Sequence, residues 1–356
     1  MLTAGAIKVQ ARSIGFDLCG IAPAGPFPEL GLLRPWLDRG FAGTMGYLAR
    51  TVERRTDPRL VLPGARSIIV LGTVYNVDRP GSTEIADPAR ALISRYAWGD
   101  DYHTVLAARA DGLVAWMRER SAGPIDARAY VDTGPVQEKV LAHYAGIGWL
   151  GKNACVINGR LGSWIFLSVI LSALDLEPDA PAVDQCGTCE LCLEACPTGA
   201  LVEPRVLDAS RCLSYLTIEL KGPIPAALRP ALGNHVFGCD ICQDICPWNA
   251  GAARSHAPEW QPRVGLDTPR LADLWRHGDA RLAALVRGTP LTRPKLIGLR
   301  RNMAVAIGNG GDPAAHASLS EHETADGSGR APSRYDPIVR EHVAWAQEAL
   351  RTRGLA

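Results

Sequence analysis

Hydrophobic and polar residues follow two different periods along the first 180 residues. The N-terminus, residues 1–16, has the pattern of an amphipathic helix, in which Lys8 and Arg12 interrupt the apolar positions with charge. Short apolar runs at residues 67–72 and 129–131 have the length and composition of strands. Because helical and strand patterns alternate, the sequence predicts a mixed domain of the α/β (α+β) class over residues 1–180.

Two further regions follow this domain. Residues 177–182 hold two prolines and two acidic residues, which break both periods and predict a linker. Residues 181–250 are rich in cysteine, and residues 251–356 return to a helical pattern that predicts an all-α, HEAT-like part. The predicted C-terminal helices cover residues 270–276, 279–287, 295–307 and 337–351. Residues 308–335, rich in small and polar side chains, are expected to form a mobile loop.

Composition and charge limit where the protein is expected to reside and which partners its overall charge would attract. The 356 residues are 47% hydrophobic and carry a formal net charge of +1, so the chain has several packed domains and no overall charge that would attract nucleic acid. The charged N-terminus does not resemble a signal peptide, and the most apolar segment, residues 164–174, is shorter than the ~20 residues that span a bilayer. We therefore expect a cytoplasmic protein with no membrane association, in which reduced thiols bind metal.

Eight of the ten cysteines lie between Cys186 and Cys246, in a spacing that is specific. One run has the pattern C-x2-C-x2-C-x3-C-P of two-cluster ferredoxins, in which the fourth cysteine ligates the other cluster. A shorter run, C-x2-C-x3-C-P, follows at residues 239–247, and Cys212 supplies the missing thiol. The spacing predicts one 4Fe-4S cluster on Cys186, Cys189, Cys192 and Cys246, and a second on Cys196, Cys212, Cys239 and Cys242. Two structural zinc sites of four thiolates each are the alternative.

Glycines at positions 146, 148 and 151 match the dinucleotide-binding fingerprint, but they follow a predicted helix where that fingerprint requires a strand. Gly146 is instead expected to end the helix predicted over residues 135–144. The glycines would then allow the backbone to approach a flat cofactor, beside Lys152 and Asn153. Residues 101–103 begin like the corrinoid motif D-x-H-x-x-G, but Leu106 stands where that motif needs glycine.

Asp132 follows the strand predicted at residues 129–131 and precedes the predicted helix. Two interpretations remain open for it. The carboxylate caps the helix, as aspartate often does before a proline-started helix, or it is a general acid whose pKa burial raises.

Several motifs together resemble the epoxyqueuosine reductase family. They are VDTGPV at 131–136, GIGWLGKN at 146–153, both cysteine runs, YLTIE at 215–219, FGCD at 237–240 and CPWN at 246–249. The resemblance implies a cobalamin-dependent oxidoreductase, similar in its core to reductive dehalogenases, that reduces epoxyqueuosine to queuosine at the wobble position of tRNA. It also implies base-off cobalamin, because no protein histidine would ligate the cobalt.

The resemblance assigns roles to individual residues. Asp132 is the expected proton donor and also contacts cobalamin. The other expected cobalamin contacts are Arg55, Tyr96, Ala97, Asn153, Cys155, Val156, Leu167, Ser210, Ser214 and Asp240. The position of Cys155 beside the glycines leaves open whether it lines the cofactor pocket or only packs, whereas Cys19 is expected in the core.

The tRNA partner, through its anticodon stem-loop, requires local positive charge. Residues 280–311 contain six basic residues and no acidic one, which predicts a basic face unless it is an ordinary solvated surface. The candidate tRNA contacts are Arg211, Lys221, Arg287, Arg293, Lys295, Arg300 and Arg301. We also expect a monomer and an external electron donor of the flavodoxin or ferredoxin type. The competing functions are a cobalamin and iron-sulfur dehalogenase acting on a small molecule, and a non-catalytic electron carrier.

Overall fold

The computed structural model describes residues 2–321 and 332–355. Ten strands are present in the described residues: β1 Leu18–Pro23, β2 Ser67–Val74, β3 Leu92–Ile93, β4 Ala127–Tyr130, β5 Trp149–Leu150, β6 Val156–Ile157, β7 Ile165–Ser172, β8 Leu201–Glu203, β9 Val206–Leu207 and β10 His235–Phe237. The α-helices are α1 Ala4–Ser13, α2 Leu33–Asp38, α3 Gly46–Arg50, α4 Val52–Thr56, α5 Tyr102–Arg120, α6 Glu138–Tyr144, α7 Leu191–Glu194, α8 Leu213–Ile218, α9 Ile241–Asp244, α10 Leu271–Arg276, α11 Asp279–Val286, α12 Lys295–Asn309, α13 Pro313–Ser318 and α14 Pro337–Thr352.

A four-stranded sheet of order β1-β2-β7-β4 forms the centre of the N-terminal part. Every neighbouring pair is antiparallel, so the α+β arrangement is the one observed within the predicted class. Side chains alternate between two cores because successive residues of a strand point to opposite faces. Ile69 and Leu71 of β2 pack into one core, and Ile68 and Val70 pack into the other.

Helices cover both faces of this sheet. The first core receives Ile7 of α1 and Leu113 of α5, whereas the second receives Leu141 of α6. The strand β2 is buried along its whole length as a result. The loop that leaves β4 toward α6 therefore lies at the edge of two packed layers, and that loop carries Asp132.

The C-terminal helices share the first core with the N-terminal domain. Trp275 of α10, Leu299 of α12 and Leu350 of α14 belong to the same buried cluster as Ile7. Helices α12 and α14 approach closely at Gly308, where an added Cβ would lie 2.7 Å from the Cβ of Ala346. Helix α12 is consequently buried on all sides from Gly298 to Gly308.

Most predicted elements are confirmed, with two corrections. The four C-terminal helices are present within two residues of their predicted ends. Helix α6, however, begins at Glu138 and not at residue 135. The expected loop at 308–335 contains the short helix α13, in which Ala315 is buried, and residues 322–331 of that prediction lie outside the described residues. Across the described ranges, we find no helix with the length and apolar character needed to span a bilayer.

Candidate active site and cluster sites

Asp132 occupies a constrained turn directly after β4. Its φ of 58° is left-handed, a region that non-glycine residues rarely adopt. The backbone N–H donates to Oε1 of Glu138 at 2.6 Å, which ties the turn to the first residue of α6. The residue that caps α6 is Gln137, so the cap interpretation of Asp132 is wrong.

The carboxylate of Asp132 instead faces the N-terminus of α5. The hydroxyl of Tyr102 donates to Oδ2 at 3.0 Å, and Nε2 of His103 lies 3.3 Å from the same oxygen. The other ring nitrogen of His103, Nδ1, is 2.7 Å from Oδ1 of Asp101. A histidine is therefore held between two carboxylates, while the Asp132 side chain keeps 62% of its surface exposed and accessible to a reactant.

Electrostatics place the proton of this pair on the imidazole. Burial lowers the pKa of His103, but the hydrogen bonds to Asp101 and Asp132 outweigh it and raise the pKa to about 9. Burial raises the pKa of Asp132, yet the hydrogen bonds from His103 and Tyr102 leave it below the usual value. The expectation that burial would make Asp132 hold its own proton is thus wrong for this arrangement. At neutral pH the pair consists of a carboxylate and an imidazolium that share one transferable proton.

Glu138 is a second acidic group at this site. Burial, followed by the charge of Asp132, raises the pKa of Glu138 to about 8. Its carboxyl is therefore mostly protonated at neutral pH while one oxygen accepts the N–H of Asp132. Sequence reasoning missed Glu138, His103 and Tyr102. The only signal for the last two was the incomplete corrinoid motif at residues 101–103.

Several of the predicted cobalamin contacts surround Asp132. Arg55 donates from Nη1 to the carbonyl of Val136 at 3.0 Å. Burial lowers the pKa of Arg55, and the nearby Tyr47, Glu138 and Asp132 oppose that effect. Tyr96 packs edge-on against Tyr102, and burial raises its pKa, with Asp132 and Asp240 adding to the effect. These residues therefore share one region of the structure.

A second set leads from this region toward the cysteines. Asp240 is buried and accepts hydrogen bonds from Ser94 at 2.5 Å and from the N–H of Arg95 at 2.7 Å. Burial raises the pKa of Asp240 to about 6. The remaining predicted contacts are placed as follows: Ala97 is fully buried, Val156 lies in β6, Leu167 in β7 opposite Gly72, Ser210 donates to Asp208, and Ser214 is in α8.

The histidine at this site fits base-off binding of a corrinoid. Both ring nitrogens of His103 are engaged by carboxylates, so neither presents a free lone pair to a metal. Exposed Asp132 and half-buried Tyr96 also combine polar and apolar surface, as cofactor pockets commonly do.

The eight clustered cysteines fall into the two groups that their spacing predicts. Four of them line one cavity of about 40 Å³ together with Lys152 and Trp248; they are Cys186, Cys189, Cys192 and Cys246. Burial raises the pKa of Cys192 to about 11, and the other three thiols of this group add to the effect. Four cysteine side chains around one cavity supply the thiolate ligands that an iron–sulfur cluster takes.

The second group lies against a hydrophobic core, where Cys212 and Cys239 are half-buried. Burial raises the pKa of Cys239, and the neighbouring Cys212 and Cys196 contribute to the rise. Cys242 interacts electrostatically with Cys155, Cys239 and Cys212. Cys212 therefore joins this group in space although it lies far from the others in sequence.

Two of the predicted tRNA contacts are inside the protein. Arg300 and Arg301 on α12 are 0% and 1% exposed. The guanidinium of Arg300 donates to the carbonyls of Trp275 and His277. That of Arg301 donates to the carbonyls of Leu216 at 2.7 Å and Gly222 at 2.6 Å. Their assignment to a basic surface is wrong, because α12 is buried all round and the arginines satisfy backbone carbonyls.

Three other predicted contacts form a patch near Asp132. Lys221 donates to the backbone carbonyl of Arg293 at 3.4 Å, and Lys295 is close enough to lower the pKa of Lys221, after the larger effect of burial. Arg293 pairs with Glu219 at 2.9 Å and interacts electrostatically with Asp132. We call Lys221, Arg293 and Lys295 the basic patch. Arg211 and Arg287 are exposed elsewhere, Arg211 beside Gly199 and Arg287 at the end of α11.

Comparison with known proteins gives consistent similarities. Residues 55–133 match the family described as epoxyqueuosine reductase QueG, DUF1730, and residues 185–249 match a 4Fe-4S double cluster binding domain. The chain is 40% identical to the epoxyqueuosine reductase of Pseudomonas aeruginosa, over 99% of this chain and 94% of that protein. It is 44% identical to the enzyme of Gloeobacter violaceus, over 88% of this chain and 99% of that protein.

Solved structures of the same family are also similar to this chain. A crystal structure of an epoxyqueuosine reductase with an epoxyqueuosine-modified stem loop of tyrosine tRNA matches with a TM-score of 0.83 and 31% identity, over 97% of this chain and 89% of that one. The Bacillus subtilis enzyme matches with a TM-score of 0.82 and 30% identity, over 97% and 90% of the two chains. In that structure the loop with the catalytic aspartate is swung out of the active site.

Proposed function

Because the chain belongs to the epoxyqueuosine reductase family, we infer that it reduces epoxyqueuosine to queuosine at the wobble position of tRNA. The observation that carries this proposal is the exposed Asp132 carboxylate, hydrogen-bonded to a protonated His103, in a chain related over its whole length to such reductases. The function is that of an oxidoreductase with two 4Fe-4S clusters, supported by the double cluster match at residues 185–249.

The reaction converts an epoxide to an alkene and water, which consumes two electrons and two protons. One proton is available at Nε2 of His103 and passes through Oδ2 of Asp132 to the departing epoxide oxygen, so that no free alkoxide forms. Glu138 holds a second proton at neutral pH on the same turn. Tyr102 orients the carboxylate through its hydroxyl, which bonds the same Oδ2.

Cobalamin is the proposed cofactor, and when bound it supplies a strongly reducing cobalt centre. The residues proposed to hold it are Arg55, Tyr96, Ala97, Asp132, Asn153, Cys155, Val156, Leu167, Ser210, Ser214 and Asp240. Buried Asp240 connects the two ends of this set, because it follows the cluster ligand Cys239 and accepts the N–H of Arg95, the residue before Tyr96. We propose that these residues link the surroundings of Asp132 to the second cysteine group.

We assign cluster 1 to Cys186, Cys189, Cys192 and Cys246, and cluster 2 to Cys196, Cys212, Cys239 and Cys242. Cluster 2 is nearer the active site, since its ligand Cys239 adjoins Asp240. An external flavodoxin- or ferredoxin-type protein would then reduce cluster 1. We further propose a monomeric, cytoplasmic enzyme.

The anticodon stem-loop is proposed to bind at the basic patch. Arg293 is electrostatically linked to both Tyr47 and Asp132, so phosphates held there would bring the wobble nucleotide to the acid. Arg211 and Arg287 remain candidates for more distant phosphates. Arg300 and Arg301 are excluded because they are buried.

An anaerobic assay tests the function directly. Purified holoenzyme, a low-potential reductant and an anticodon stem-loop containing epoxyqueuosine are incubated, and the nucleoside is analysed by mass spectrometry. We expect the loss of one oxygen atom from the modified nucleoside. A holoenzyme with both clusters and cobalamin that leaves the stem-loop unchanged, while reducing a halogenated small molecule, would refute the proposal.

A further inference from the structure

One hairpin of the N-terminal domain reaches both cysteine groups. It consists of β5, β6 and the turn between them, residues 149–157. Gly148 permits its tight closure, because a Cβ there would lie 2.3 Å from the carbonyl oxygen of Ile157. The N–H of Gly151 donates to the carbonyl of Cys155 at 2.8 Å across the turn. The hairpin is therefore a well-defined platform.

Trp149 at the start of the hairpin contacts cluster 1. Its indole Nε1 donates a hydrogen bond to Sγ of Cys186 at 3.4 Å. The ring is 2% exposed and packs edge-on against Trp248, with ring centres 4.9 Å apart. Because packing fixes the indole, its N–H is held toward the ligand sulfur.

The turn of the hairpin contacts cluster 2. Nδ2 of Asn153 donates to the carbonyl of Cys242 at 3.1 Å, and Oδ1 of the same side chain accepts the N–H of Cys155 at 3.1 Å. The hairpin is thereby anchored at the second cysteine group as well as at the first.

We propose that this hairpin sets the reduction potential of cluster 1 by donating the indole hydrogen bond of Trp149 to a ligand sulfur, Sγ of Cys186. A hydrogen bond to a ligand sulfur stabilises the more negative, reduced cluster and so raises its potential. Trp149 is a positioning residue, because it touches a ligand and not the reacting atoms.

The arrangement couples the electron relay to the catalytic domain. The donor to cluster 1 lies on a hairpin of that domain, and the turn of the same hairpin is bonded to Cys242 of the second group through Asn153. The catalytic domain therefore contributes directly to the surroundings of cluster 1.

Potentiometric titration of the anaerobic holoenzyme, followed by electron paramagnetic resonance, tests the proposal. Trp149→Phe removes the N–H and keeps an aromatic ring. We expect the variant to lower the midpoint potential of cluster 1 and to leave that of cluster 2 unchanged. An unaltered potential of cluster 1, or equal shifts of both clusters, would overturn the proposal.

Trp248→Phe is the matched control. Its indole borders the same cavity and the same partner ring, but in the part of the chain that the structure describes it has no hydrogen bond to a ligand sulfur. We expect unchanged potentials. A fall equal to that of Trp149→Phe would show that ring packing, and not the N–H, is responsible.

A measurement on the unmodified protein covers the case in which Trp149→Phe fails to retain iron. Electron–nuclear double resonance on reduced holoenzyme grown with indole-¹⁵N tryptophan should show a ¹⁵N coupling to cluster 1, and its absence would refute the hydrogen bond. The inference rests on the two-cluster assignment, which the iron content of the wild type tests separately.

Discussion

The sharpest prediction concerns the proton shared by His103 and Asp132. His103→Gln keeps a side-chain amide that can donate to Asp132 but removes the ionisable ring. In the wild type the pair holds its proton up to a pKa of about 9. Activity limited by this proton should therefore be nearly constant between about pH 6 and 8, and fall about tenfold per pH unit above 9.

The loss of rate in the variant follows from the protonation of the Asp132 carboxylate alone. Without His103, Asp132 must carry the proton itself, and an ordinary aspartate with a pKa of about 3.9 is protonated in only about one molecule in a thousand at pH 7. We expect the rate to fall about 10²–10³-fold at pH 7, with a further loss of about tenfold per pH unit across the neutral range. This pH dependence is the one expected when an acid is lost, so the rate of the variant rises as the pH falls.

Single-turnover reduction of the modified stem-loop, measured at a series of pH values, provides the assay. Tyr102→Phe is a suitable control, because it removes the other hydrogen bond to Asp132 and leaves the proton on His103. Its alkaline limb should stay near pH 9. A His103→Gln enzyme with a flat pH profile and near-normal rate would refute the shared-proton reasoning.

Further predictions address other parts of the molecule. Asp132→Asn should retain both clusters and cobalamin, by absorption spectroscopy and iron analysis, and lose turnover; near-normal turnover would remove its role as the acid. Arg301→Met should lower the free energy of unfolding by about 3 kcal/mol, because it leaves buried carbonyls unsatisfied, and should not change the salt dependence of tRNA binding. Arg293→Gln should reduce the slope of log binding constant against log salt by about 0.7–0.9 if the residue contacts one phosphate, and an unchanged slope would contradict that contact. Cys212→Ala should halve the bound iron, whereas Cys19→Ala should leave it unchanged; equal iron in both variants would refute the assignment of cluster 2.

The turn that carries Asp132 is constrained on several sides. Its left-handed backbone is tied to Glu138, and its carboxylate is tied to α5 through Tyr102 and His103. The relative from Bacillus subtilis has a structure in which its own catalytic loop is swung out of the active site. If the turn of Asp132 moved outward in this chain, it would have to break its bonds to Glu138 and to α5.

The sequence by itself determined the iron-sulfur chemistry and the C-terminal helices. Cluster ligands lie at short fixed spacings, so local sequence carries most of their geometry, and counting thiols identified Cys212 as the eighth ligand. Helices α10, α11, α12 and α14 were predicted from their apolar period, because a helix that packs against a core repeats apolar residues on one face, whereas α13 was not predicted. The motif resemblance supplied the reaction and placed Asp132 in it.

Only the tertiary structure decided which charges are available and where the proton resides. Charge along a helix does not reveal whether that helix is buried on every side, and α12 is, so Arg300 and Arg301 bind carbonyls and not phosphates. The partner of Asp132 is 29 residues away in sequence, at the end of another helix. The pKa of His103 depends on burial and on the carboxylates of Asp101 and Asp132, which the packing of α5 against the sheet brings together. Such long-range electrostatics have no periodic signature in the sequence, and therefore the acid and its proton source could be assigned only once the fold had placed them side by side.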